Sequence, residues 1–243
     1  MRYIDFITET TSQDKLIVKL ANEINSLINK YEYNEKVIKQ GLYLGKIEKI
    51  SKIDNDSDIA ILNPVHIELV SDSYMNKIAP GKTGARALWD PNIKTVYLNT
   101  DYIGDPRMAR LIAHELRHAL DAYLSDFDAG TGYDIPRKKE YRYIGDPLKD
   151  PKRARTDYLA RPSEINARFL EVLHLLTPVI EHAVKTKKSD AFNYSFDKLK
   201  YYLKKKEILD LFPEGTESTD LRRLYNRGID YITHKIEELQ TAN

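Results

Sequence analysis

The chain of 243 residues contains no cysteine. Disulfides and thiolate ligands are therefore excluded, and any bound metal must be held by nitrogen and oxygen. An excess of charge is missing too: Lys+Arg 38 stand against Asp+Glu 37, for a formal net charge of +1. A chain so balanced is not built as a whole to neutralise nucleic-acid phosphates, and nucleic acid is not expected as a partner. No apolar run approaches the roughly 18 residues that span a bilayer, so no membrane partner is expected either. The opening residues, Met1-Arg2-Tyr3-Ile4-Asp5-Phe6, lack the apolar stretch of a secretory signal, which leads us to expect a cytoplasmic protein. What is present is ordinary: 42% hydrophobic and 31% charged residues, enough chain for one substantial core. We expect a single domain over 1–243, with a core at about 42–176 and a helical extension at about 178–243.

Apolar positions at helical spacing (Leu16, Ile17, Leu20, Ile24, Leu27, Ile28) predict a long amphipathic helix over residues 12–39. Residues 42–50 and 59–70, rich in Ile, Leu and Val, read as strands. Asp54, Asp56 and Asp58 between them resemble a calcium loop, but Ile59 and Val65 stand where that loop needs Gly and Glu. Gly81-Lys82-Thr83 is likewise a turn, since Asn76 occupies the position of a phosphate loop's first glycine. Two short strands, 87–90 and 93–99, flank the turn Asp90-Pro91-Asn92. Asp105-Pro106 then signals a helix start, with apolar periodicity continuing to about Leu124. Residues 125–157 gather Gly130, Gly132, Gly145, Pro136, Pro147 and Pro151, show no period, and read as a long loop that walls or covers a site. Helices are expected from Pro162 to a stop at Thr177-Pro178, and then over 178–187, 190–209 and 218–240. The Leu203-Lys204-Lys205-Lys206 run and Arg222-Arg223 read as solvated helix faces.

Within the helix after Asp105 stands His114-Glu115-Leu116-Arg117-His118. One helical turn separates the histidines, so both imidazoles leave the same face and can grip one ion. Glu115, beside the first of them, is placed to take a proton from a metal-activated water. A catalytic zinc site needs a third protein ligand and an open position, and three acids compete for that place. Glu164 lies near the start of the next convincing helix, in Pro162-Ser163-Glu164-Ile165-Asn166-Ala167, where the helix dipole favours a carboxylate and small Ala167 permits close helix approach. Asp134 sits in Gly130-Thr131-Gly132-Tyr133-Asp134. Asp121 shares the face of His114 and His118 and suits a supporting role, accepting a histidine's other N–H. Tyr158, His174 and Arg168 are the candidates for a donor to the oxyanion. His66, His182 and His234 are isolated and read as ordinary histidines.

His114-Glu115-x-x-His118 followed by Glu164-x-x-Ala167 resembles the zincin metallopeptidases, in the gluzincin arrangement. The Asp134 run is similar to the Gly-Thr-x-x-Asp of aspzincins, but Ile135-Pro136-Arg137 replace the Tyr-Gly that follows there. Tyr158, Pro162, Glu164 and Ala167 also resemble small phage-encoded proteins of this type, which would allow carriage in a virion. The resemblance covers roughly residues 85–176. It implies an α+β zincin-like fold, a small mixed or antiparallel sheet packed on the active-site helix, with further helices on either side. It further implies one Zn2+ on His114, His118 and Glu164, and hydrolysis of a peptide or protein substrate with Glu115 as general base. Two alternatives remain: a non-catalytic assembly component that keeps the zinc as a staple, and a nucleic-acid-associated protein using the Lys/Arg-rich helices. The C-terminal helices are candidates for binding a partner or forming an oligomer.

Overall fold

The computed structural model describes residues 5–30, 42–51, 59–79, 84–124, 162–186, 190–212 and 219–241. The fold is α+β, with a small four-stranded mixed sheet and mainly helical flanks. No described helix is long and apolar enough to cross a membrane. The chain groups into two compact units, Leu16–Pro136 and Met1–Lys15 with Arg137–Asn243.

In the first unit the strands are β1 (Leu42–Lys46), β2 (His66–Val70), β3 (Ala87–Asp90) and β4 (Thr95–Asn99), in sheet order β1-β2-β4-β3. β1 runs antiparallel to β2, β2 parallel to β4, and β3 antiparallel to β4. Every residue of β4 is buried, as befits a strand with partners on both sides and cover on both faces. β3 ends the sheet. The β3–β4 turn is closed by Asp90, whose carboxylate accepts the Asn92 N–H at 2.9 Å, and by Lys94 in the left-handed region (φ 54°). The first expected strand is shorter than its apolar pattern predicts. A bulge lies between Tyr43 and Gly45, whose φ of 123° suits glycine, and the chain turns at Ile47–Ile50 into a short helix, α2. The stretch before β2 forms a 3-10 turn at Ala60–Leu62 rather than strand.

Helix α1 (Asp5–Ile28) buries Ile17, Leu20, Ile24 and Ile28, the positions that its spacing marks. It gives way to a turn at Asn29 and Lys30; the rest of the expected helix lies outside the described residues. Helix α3 (Asp72–Ile78) is capped by Ser71, whose Oγ accepts the Tyr74 N–H at 3.3 Å, and packs Met75 with Val70 and Tyr97. Helix α4 (Met108–Leu124) packs on β3, β4 and the 3-10 turn through Ile112, Ala113, Leu116, Ala119 and Leu120, all fully buried.

In the second unit α5 (Pro162–Lys185), α6 (Ala191–Lys205) and α7 (Thr219–Thr241) pack against one another. The expected stop at Thr177-Pro178 is absent, and α5 runs through Pro178. Thr177 Oγ1 donates to the Leu173 carbonyl at 3.0 Å and meets the Tyr231 hydroxyl at 2.6 Å, tying this turn to α7. Packing of Phe169, Leu173, Leu176 and Ile180 outweighs the local cost of the proline. The calcium-like loop, Gly81-Lys82-Thr83 and the 125–157 loop lie outside the described residues.

Candidate metal centre

Helix α4 rises from a charged cap. Asp105 accepts the Arg107 N–H at 2.8 Å, and its carboxylate is gripped by the Arg107 guanidinium at 2.7 Å, with Arg86 at 3.7 Å. These hydrogen bonds hold the Asp105 carboxyl well below the usual carboxylate range. Two turns on, the helical period brings His114 and His118 together. Their Nε2 atoms are 3.1 Å apart and their rings meet edge to face, with centroids at 4.7 Å. Two nitrogens each about 2.1 Å from a tetrahedral ion stand about 3.4 Å apart, so the 3.1 Å pair is close to chelating geometry. Both rings are half-buried, neither sealed in the core nor free in solvent.

Glu115, on the same turn, does not point idly into solvent. Its Oε2 accepts the backbone N–H of Trp89 on β3 at 2.8 Å. Helix α4 is thus tied to β3 through the very carboxylate that the sequence singles out as a candidate base. Trp89 was not legible as a site residue, because a backbone donor 26 residues away leaves no side-chain signature. Its indole Nε1 is buried and has no hydrogen-bond partner among the described residues.

Glu164 occupies the first turn of α5 and is 5% exposed. It belongs to the second unit, whereas His114 and His118 belong to the first. The expected donor set, two imidazoles and a carboxylate, suits zinc bound by nitrogen and oxygen in a chain without thiols.

The competing acids fare differently. Asp121, buried, has its Oδ1 2.7 Å from Nη2 of Arg117, which is itself fully buried. A cation one turn earlier on its own helix therefore engages it. Asp134 and Tyr158 lie outside the described residues. Of the other oxyanion candidates, Arg168 reaches Glu207 at 3.7 Å and His174 is half-buried on α5. His66 packs beside the Tyr43 ring, and His182 and His234 are exposed.

No family model, no curated protein and no solved structure matches this chain.

Proposed function

We propose that the chain is a zinc-dependent metallopeptidase, with His114, His118 and Glu164 as ligands and Glu115 as general base. The observation that carries this reading is the chelating pair of imidazole nitrogens, 3.1 Å apart, on the turn whose glutamate is oriented by the Trp89 N–H. Zinc, when bound, would supply polarisation of the scissile carbonyl and a water acidified toward neutrality. Glu115 takes the proton from the attacking water and returns it to the leaving amine. The Trp89 N–H pre-orients the carboxylate for this, so little reorganisation is needed when substrate arrives. A buried indole N–H without an acceptor among the described residues sits on the same residue, and a substrate carbonyl would supply one.

The sheet order leaves the outer side of β3 without a strand partner among the described residues, and an extended peptide can add there by main-chain hydrogen bonds. A purely structural zinc would need a fourth protein ligand to close its shell. Asp121, the other acid on α4 besides Glu115, is held by Arg117 and is poorly placed for that task. This supports the open, catalytic form of the site.

Elemental analysis of protein purified without added metal tests the reading first. About one zinc per chain is expected, reduced sharply by His118→Ala and by Glu164→Ala. Absence of zinc, with none taken up on titration, would refute it. Cleavage of an unstructured protein substrate should then follow zinc content and vanish with chelator.

A further inference from the structure

Outside the metal site, the outward face of α6 carries an ordered pattern. Tyr194, Lys198, Tyr201 and Lys205 follow one another at intervals of four, three and four residues, which aligns them in a single stripe along the helix. The stripe is about 16 Å long. It lies opposite the buried residues Ser195, Leu199 and Leu203, and Tyr201 is 54% exposed. Lys198 Nζ stands 5.7 Å from the ring centroids of both Tyr194 and Tyr201, and Lys205 Nζ stands 5.9 Å from that of Tyr201. Each ammonium therefore rests against a tyrosine face.

The neighbouring lysines are engaged by acids. Lys200 faces Asp197 at 3.5 Å, Lys204 binds Asp210, and Lys206 binds Glu171. Lys198 and Lys205 have no carboxylate partner among the described residues; their recorded contacts are the tyrosine rings. The helix carries four lysines against one aspartate, so the charge balance of the whole chain conceals a local cationic surface.

We propose that this tyrosine–lysine stripe on α6 binds single-stranded nucleic acid. Phosphates answer the Lys198 and Lys205 ammonium groups, and unstacked bases lie on the tyrosine rings. An acidic polypeptide would meet the lysines but leave the rings unused. A duplex would meet the lysines while keeping its base faces hidden. This site is independent of the zinc reading and stands or falls separately.

Fluorescence anisotropy of a labelled oligothymidylate with the full chain provides the test. Binding should weaken with salt, and Lys198→Gln/Lys205→Gln should lower the slope of log K against log salt by about 1.4, at about 0.7 per phosphate contact. Tyr201→Ala should raise Kd roughly tenfold, while Tyr201→Phe keeps the ring and should stay close to wild type. Tyr201 and Lys205 are exposed and Lys198 is half-buried, so circular dichroism melts of these variants should stay close to wild type. Failure to bind at low salt, or binding indifferent to these substitutions, would overturn the proposal. Equal affinity for a duplex, or for oligoglutamate without dependence on Tyr201, would overturn it in favour of another anionic partner.

Discussion

Glu115 answers to two demands, accepting the Trp89 N–H and, in the proposed reaction, accepting a proton. Substitutions separate them. Glu115→Gln retains a carbonyl oxygen for the Trp89 N–H but cannot serve as a base, so it should keep zinc and melting temperature while hydrolysis falls below detection. Glu115→Ala also loses hydrolysis and in addition leaves the Trp89 donor without its partner, which costs about 1–3 kcal/mol. Urea denaturation of the two variants side by side checks this; equal stabilities would show that the Trp89 contact contributes nothing. At this scale the histidine pair and its glutamate were legible, because helical periodicity alone makes residues four apart neighbours. Trp89 was not, since the donor is main chain and its position depends on how β3 lies along α4.

Among the elements, α4 depends on its charged cap. The folded-state pKa of Asp105 is depressed, chiefly by hydrogen bonds from Arg107, so the ionised carboxylate favours the folded state. That contribution is fully present above the ordinary carboxylate range and is lost as pH falls through the depressed value. Asp105→Asn should therefore melt below wild type at neutral pH, and the gap should close on acidification; a gap that persists in acid would show that charge is not the cause. A second element-level prediction concerns the α6–α7 contact. A Cβ added at Gly228 would intrude on the Leu199 side chain, which is fully buried. Gly228→Ala gains about 1 kcal/mol of helix propensity but overpacks a filled site at about 1–3 kcal/mol. Net destabilisation is expected by thermal melting, and a stabilised variant would mean that Leu199 repacks freely. Element types were mostly readable from period and caps. The passage of α5 through Pro178 was not, because the tie from Thr177 to Tyr231 joins residues 54 apart in sequence.

At the scale of the whole molecule, one long-range tie lies within the unit that joins Met1–Lys15 to Arg137–Asn243. Arg227 on α7 binds Asp14 on α1 at 2.6 Å across 213 residues, donates to Asn166 at 2.9 Å, and stacks on Phe169 with its guanidinium carbon 4.5 Å from the ring centroid. Both ionic partners are buried, so removing one leaves a buried charge without its opposite charge in this pair. Asp14→Ala should cost about 3–5 kcal/mol, whereas an apolar replacement of both partners should recover much of the loss. A neutral Asp14→Ala in chemical denaturation would show that the pair does not hold the chain ends. Nothing local in Thr11-Ser12-Gln13-Asp14-Lys15 announces this partner, since a charge on an amphipathic helix is ordinarily solvated. The sequence by itself determined the helical pairing of His114 with His118, the strand and helix order around them, and the exclusion of thiolate chemistry, because each follows from short-range geometry or from composition. Tertiary structure decided which main-chain donor orients Glu115, and that Arg227 closes on Asp14. Those outcomes depend on packing between segments far apart in the chain, which no local pattern encodes.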